Sequence, residues 1–290
     1  MKRKSKRIII AVVAAVIILL VGWIGYGIWL SGRLTVTKYR VENNFITAPL
    51  TICQLSDLHG ERFGDGNAEL IELIRKQEPD LIFMTGDMIN RDETDTKDIC
   101  DLVCKLCETA PVYYSYGNHE AEWANAYGDG LEVALKAAGA TVLILGYEDV
   151  TVKGQALRIG GYEGYYRMPQ TEGLEECERR NAFVDEYEDT DRQKLTLCHI
   201  PTTWLDWGGI SRQNGGVVFC GHYHGGQIRL PFSKRGVVAP YGGWFPEYVQ
   251  GVYYGERSVC ILSAGLGSGM IIPRINNPPE IVVADLVPNM

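Results

Sequence analysis

Histidine is scarce in this chain, five residues in 290, and the basic residues are outnumbered, 28 against 36 acidic ones. No internal repeat is visible, and no Gly-Lys-Ser/Thr follows Gly265, Gly267 and Gly269, so these glycines read as a flexible turn and not as a phosphate-binding loop. The eight cysteines include no Cys-x-x-Cys pair matched by a second cluster, which removes the specific signature of a structural zinc site. Only one long hydrophobic run exists. Each shortage narrows the reading, and the histidine shortage narrows it most.

Charge is unevenly spread. Lys2, Arg3, Lys4, Lys6 and Arg7 precede everything else, and without them 23 basic residues face 36 acidic ones, a formal charge of −13. Phosphate backbones are held mainly by Lys and Arg. A net-acidic domain without a basic run therefore argues against a nucleic acid partner and for a small or lipid-linked phosphate.

Residues 8–30 contain no charged side chain. At 1.5 Å per residue they can cross a hydrocarbon core of about 30 Å. A cleaved signal peptide is the competing reading, but its apolar region would be about 7–15 residues long and would end at small residues. Here Ile28, Trp29 and Leu30 end the run. The basic cluster ahead of it places the N-terminus in the cytoplasm by the positive-inside rule and the remaining domain outside, in a single-pass cell-membrane protein. Eight cysteines sit awkwardly in an oxidising compartment, which keeps the reverse topology open. Cys53, Cys198 and Cys220 lie in apolar strand-like runs, and Cys100, Cys104 and Cys107 fall on one helical face, so buried free thiols are expected, with a zinc site from the helical three as the alternative.

The expected organisation is a basic segment at 1–7, a transmembrane anchor at 8–30, a linker and leading strand at 31–48, and a globular domain over 49–290. Apolar runs at 50–55, 81–84 and 112–116 read as strands, and residues 67–77 and 96–108 read as helices. Such β-α-β alternation implies a largely parallel sheet. Strand-like runs at 156–160, 195–198, 217–220 and 259–262 imply a second sheet packed on the first. The acidic stretch at 163–193 and the Gly- and aromatic-rich stretch at 231–254 read as excursions bordering a site. In the latter, Trp244, Phe245, Tyr248, Tyr253 and Tyr254 suit either a lip for an acyl chain or ordinary packing.

Every histidine sits just after a strand-like run, beside glycine or another polar residue. Asp57-Leu58-His59 follows the first run, Gly86-Asp87 the second, and Gly117-Asn118-His119-Glu120 the third. His199 and Gly221-His222-Tyr223-His224 follow later ones. Singly, each piece is a common turn or cap. Jointly they would converge at the carboxyl ends of the strands, where open α/β sheets bind ligands, and imidazole with carboxylate suits Mn, Fe or Zn.

These five pieces, in this order, resemble the signature of the calcineurin-like metallophosphoesterases. The stretches 221–227 and Asn277-Pro278-Pro279-Glu280 are similar to the bacterial membrane-associated phosphodiesterase branch. The resemblance implies a four-layer α/β/β/α sandwich and two divalent metal ions, with Mn favoured and Fe or Zn as alternatives. It implies that Asp57, His59 and His224 bind one ion, that Asn118, His199 and His222 bind the other, and that Asp87 bridges them. His119 would then stabilise charge or protonate the leaving oxygen as a metal-activated hydroxide attacks a phosphodiester or pyrophosphate. Asn90 departs from relatives that carry an Asp at this position to orient the catalytic histidine. A phosphomonoesterase on the same site, and a scaffold keeping the fold without catalysis, remain the alternatives.

Overall fold

The computed structural model describes residues 2–44, 46–162, 174–231, 233, 235–240, 242–269 and 271–289. The chain opens with α1 (Lys2–Ser31) and continues through β1 (Thr35–Asn43), β2 (Leu50–Leu55), α2 (Ala68–Arg75), β3 (Leu81–Met84), α3 (Lys97–Cys107), β4 (Val112–Tyr114), α4 (Asn118–Tyr127), α5 (Gly130–Ala137) and β5 (Thr141–Val142). The second half holds β6 (Gly146–Val152), β7 (Gln155–Tyr162), α6 (Leu174–Glu188), β8 (Gln193–Cys198), β9 (Gly216–Cys220), β10 (Val238–Ala239), β11 (Gly243–Trp244), β12 (Gly251–Tyr254), β13 (Ser258–Leu262) and β14 (Glu280–Pro288).

Two six-stranded sheets result, ordered β1-β14-β2-β3-β4-β5 and β12-β13-β9-β8-β7-β6. In the first, β2 to β5 are mutually parallel and β14 enters antiparallel to β2, its register set by Val283 opposite Cys53. Strand alternation then sorts the core. Leu50, Ile52, Leu81 and Phe83 turn inward against Leu157, Ile159, Leu197 and Phe219 of the second sheet, a dry layer between the sheets. The alternate residues Cys53, Leu55, Ile82 and Met84 meet Leu70, Ile74, Leu102, Leu106 and Leu135 from α2, α3 and α5. On the far face, Cys198, Val218, Cys220 and Leu262 meet Val184 and Tyr187 of α6 and the indole of Trp204. The expected four layers are therefore present.

Two local expectations change. β1 pairs with β14 from Thr35 opposite Glu280 onward, so the first sheet begins ahead of the boundary expected at residue 49. Cys104 is exposed, and Cys100 and Cys107 are half buried, because the buried stripe of α3 is Ile99, Leu102, Val103 and Leu106. The cysteines flank that stripe instead of forming it. The helices α4 and α5 were absent from the sequence reading, and α6 occupies much of the acidic stretch 163–193, whose residues 163–173 lie outside the described ones.

Candidate metal centre

The strands β2, β3, β4, β8 and β9 all end at one edge of the sandwich. Hydrogen bonds between the loops that follow them lock this edge together: Asp57 N donates to Gly86 O at 3.0 Å, His59 N to Asp87 O at 3.0 Å, and Gly221 N to His199 O at 3.0 Å. Glycine is required at two crossings. A Cβ on Gly117 would strike the Asp87 carboxylate, and one on Gly221 would strike Ser56 and Asp57. Chain turning here uses left-handed backbone at non-glycine residues, with φ of 54° at Asp57, 50° at His59, 53° at Asp87, 73° at His222 and 45° at His224. Such conformations are disfavoured, and they persist where surrounding contacts enforce them, typically at functional sites.

Three sets of buried side chains bring their donor atoms within 4.8 Å of one another: Asp57 with His59 and His224, His59 with Asp87 and His119, and Asp87 with His199 and His222. The Asp87 Oδ2 atom lies 3.1 Å from His199 Nε2 and 3.9 Å from His59 Nε2, so this carboxylate stands between the outer sets. His224 Nε2 is 3.6 Å from Asp57 Oδ1. Asn118 is the first residue of α4, directly after the third strand's loop.

The donor set fits divalent cations. Neither ring nitrogen of His59 has a hydrogen-bond partner, nor do His224 Nδ1 and the buried Asn118 Oδ1, although buried polar atoms are nearly always satisfied. Around them the protein orients its ligands. His199 Nδ1 is 2.7 Å from the Thr85 carbonyl, to which it donates, so that Nε2 faces the cluster, 3.2 Å from His222 Nδ1. The Asp57 carboxylate accepts from His222 N at 2.9 Å, and Asp87 Oδ1 accepts from His119 N at 2.8 Å.

Burial and mutual charge set the protonation states. Burial raises Asp57 to about 6, against the pull of His199. Burial would also raise Asp87, but His199, His59 and His119 outweigh it and hold that carboxyl well below the usual range. His199 responds in the opposite sense: burial pulls it down, yet Asp87 and Asp57 lift it to about 10. Burial lowers His59 to about 4 and His222 to about 3, where neighbouring histidines add to the effect. These last two are therefore neutral imidazoles at neutral pH, the form that ligates metals.

His119 is also lowered, by burial first and by the Arg91 charge second, with Asp87 opposing. Arg91 Nη2 lies 3.0 Å from His119 Nε2, and its other arm pairs with Glu122 at 2.6 Å. An arginine can only donate, so Nε2 accepts and the ring proton sits on Nδ1. Asn90 takes no part in this. Its amide donates to the His59 carbonyl at 2.9 Å, steadying a cluster residue instead of orienting His119.

Four supporting residues escaped the sequence reading as functional positions. Glu120 is wholly buried and accepts from Asp87 N and Met88 N at 2.7 Å, Gly117 N at 2.9 Å and Tyr114 OH at 2.8 Å, so it braces two cluster loops at once. Asn277 donates to the His224 carbonyl at 2.7 Å. The buried Arg274 donates to Ala264 O at 2.7 Å and Gly267 O at 2.8 Å, and Arg91 meets His119. Glu120 and Asn277 stood inside the motifs Gly-Asn-His-Glu and Asn-Pro-Pro-Glu. Arg91 and Arg274 carried no local signal.

Comparison with known proteins agrees with this geometry. The sequence pattern of the calcineurin-like phosphoesterases matches residues 50–226, more than half of the chain. Among curated relatives, Phosphodiesterase YaeI of Escherichia coli (strain K12) is 29% identical over 245 residues, covering 83% of each chain. The uncharacterized metallophosphoesterase YkuE of Bacillus subtilis (strain 168) is 27% identical over 276 residues, 91% of this chain and 90% of its own. A second Bacillus subtilis relative, the uncharacterized metallophosphoesterase YkoQ, is 25% identical over 239 residues, covering 80% and 82%. With its histidine and aspartate clusters gathered at one sheet edge, the chain belongs to the calcineurin-like phosphoesterase family and is a metal-dependent phosphoester hydrolase.

Proposed function

We propose that this hydrolase cleaves phosphodiesters, with a lipid-linked or envelope phosphate as its substrate, while α1 holds it in a cell membrane. Asp57, His59 and His224 would hold one divalent ion, Asn118, His199 and His222 a second, and Asp87 would bridge them. Mn suits this mixed nitrogen and oxygen donor set, as do Fe and Zn. Two such ions supply Lewis acidity, which acidifies a water and offsets the phosphoryl charge. The observation that carries the reading is the cluster of buried imidazole and carboxylate donors about Asp87, several of whose atoms have no partner in the protein.

The chain's own residues handle the proton. In hydrolysis the water oxygen bonds to phosphorus, the ester P–O bond breaks, and the leaving oxygen must gain a proton. His119, neutral and with its proton at Nδ1, is suited to donate a hydrogen bond to that oxygen, and Arg91 fixes the tautomer and adds positive charge. The relative named as a phosphodiesterase supports the diester over the monoester. The complete set of candidate ligands weighs against a non-catalytic scaffold.

For the membrane, α1 offers a 27-residue span, Ser5–Ser31, with side chains such as Ile10, Ile18 and Leu19 open to their surroundings, unlike a core helix. The positive-inside rule puts the N-terminus in the cytoplasm and the catalytic domain outside.

The test uses the full chain in detergent, stripped by chelator and then given Mn. Hydrolysis of bis-p-nitrophenyl phosphate restored by Mn, and faster than that of p-nitrophenyl phosphate, is expected. Preference for the monoester would overturn the diesterase assignment, and an absence of bound metal in elemental analysis would overturn the ligand set.

A further inference from the structure

The last turn of α1 is built into the rim of the metal centre. Gly27 is buried there, and a Cβ on it would come within 2.7 Å of Ile275 and 2.9 Å of the Asn276 nitrogen. Asn276 N donates to Gly27 O at 3.1 Å. Asn277 N donates to Ser31 Oγ at 3.1 Å, while the Asn277 side chain donates to the His224 carbonyl. One residue thus links the end of the apolar helix to a candidate ligand. The strand that follows begins at Thr35 beside Glu280, at the same edge of the sandwich where the cluster lies. A bilayer around α1 would lie against the mouth of the site and not against the opposite end.

An open groove of about 380 Å³ separates the helix from the 266–279 segment, with Ile28, Phe63, Leu266 and Pro273 supplying apolar walls and Glu61, Arg62 and Arg274 charged ones. The segment between groove and cluster serves both. Leu266 N donates to Ser56 O at 2.9 Å and Gly267 N to Asp57 O at 2.6 Å, and a Cβ on Gly269 would press on His59 and come within 3.0 Å of His224 Nε2. A ligand in the groove therefore lies one turn of chain from the donor atoms.

The surroundings suit lipid. Ile271, on this segment, is fully exposed, and Leu230, Trp244 and Phe245 are exposed on a neighbouring stretch. That stretch is tied to the helix-contact residues by Arg229 N donating to Ile275 O at 2.9 Å and Asn276 Nδ2 donating to Arg229 O at 3.2 Å. Trp29 stands near the helix end with the Arg33 guanidinium 3.7 Å from its ring centre, an aromatic and cationic pairing common where a span leaves the bilayer. Exposed large apolar side chains such as these are ordinary at a membrane surface.

We infer that this groove binds an acyl chain of a phospholipid-class substrate drawn from the leaflet in which α1 ends, so that the lipid phosphate reaches the cluster across Ser268 and Gly269. The inference rests on the phosphoesterase reading above and names its substrate class.

The test reconstitutes the full chain in phosphatidylethanolamine and phosphatidylglycerol vesicles containing a phosphatidylglycerol with a diazirine near its acyl terminus. After irradiation, label is expected at 61–63 and 266–273 as well as along α1. Phe63→Asp should cut the label at 266–273 by about fivefold or more, while label on α1 and Mn-dependent turnover of bis-p-nitrophenyl phosphate stay within about twofold of the native chain. Label confined to α1 in the native protein, or groove label indifferent to Phe63→Asp, would overturn the inference. Groove label without any turnover of the soluble diester would sink the diesterase reading and leave the groove standing.

Discussion

The two ends of this sandwich invite comparison, because each has a hollow lined by charged side chains and only one is built for chemistry. At the end remote from α1's exit, a cavity of about 270 Å³ is lined by Arg192, Lys194, Arg257, Glu42 and Asp191 among others. Two of its arginines are conventionally satisfied: Arg192 pairs with Asp149 at 3.3 Å and Arg257 donates to the Arg212 carbonyl at 3.2 Å. None of its non-glycine lining residues has left-handed backbone. At the other end five of the seven candidate ligands do, and imidazole nitrogens lie buried without partners. Volume does not locate a reactive site. Left-handed backbone and unpartnered buried ring nitrogens occurring together mark the candidate site, a combination that divalent cations on these side chains would complete.

The sharpest way to break this contrast is to remove one charge from each end. Asp87→Ala should lower Mn-dependent diester turnover by about 10³-fold or more, the size expected from losing several kcal/mol of charge stabilisation. Arg257→Ala, in the remote cavity, should leave it within about twofold. Comparable losses at both ends, in a steady-state assay, would refute the distinction.

A second test concerns the brace. Glu120→Ala removes the acceptor shared by the Asp87, Met88 and Gly117 amides, and should weaken metal affinity by about 10- to 100-fold in a calorimetric titration. An unchanged affinity would mean that the loops hold their shape without it.

Metal should also repair the strain. Mn at about 100 times its dissociation constant should add about 2.7 kcal/mol of stability and raise the melting temperature by about 5–10 °C, measured by calorimetry. In Asp87→Ala the shift should shrink, whereas Arg257→Ala should retain it.

The smallest effect is the pH dependence of the metal-free protein. Folded His59 and His222, held near 4 and 3, stay neutral where the unfolded chain's histidines protonate, near 6.5. The unfolded state thus binds more protons below that value, and their contribution, fully present above pH 6.5, is lost on acidification. Asp57, raised to about 6, works the other way by taking up a proton in the folded state first. His224 and His119 are lowered as well and Glu120 is raised alongside Asp57, so the histidines outnumber the carboxyls and stability falls on acidification between roughly pH 6 and 4.5. Denaturation at several pH values checks it, and a stability that rises on acidification in that window would contradict neutral His59 and His222 in the folded chain.

Much of this was legible before any coordinates. The strands ending at Leu55, Met84, Cys198 and Cys220 were readable because fully buried strands are continuous apolar runs, and their polar-plus-glycine sequels marked one edge. The helices α4 and α5 were not, since α4 is built around site residues such as Asn118, His119 and Glu120, whose side chains obscure any apolar stripe. Cys104 was misplaced for a related reason, as regular spacing places residues on a face without saying which face is buried.

By itself, then, the sequence determined the chemistry. Five histidines placed after strand-like runs, with aspartates at short spacing, point to convergence at an α/β sheet edge, and their donor types suit divalent metal. Only the tertiary structure decided how that chemistry is tuned and where it faces. Arg91 rather than Asn90 meets His119, Glu120 braces the Asp87 loop, and Asn277 ties His224 to the end of α1. These contacts join residues up to 246 positions apart. They depend on sheet order and loop closure, which composition and periodicity do not encode.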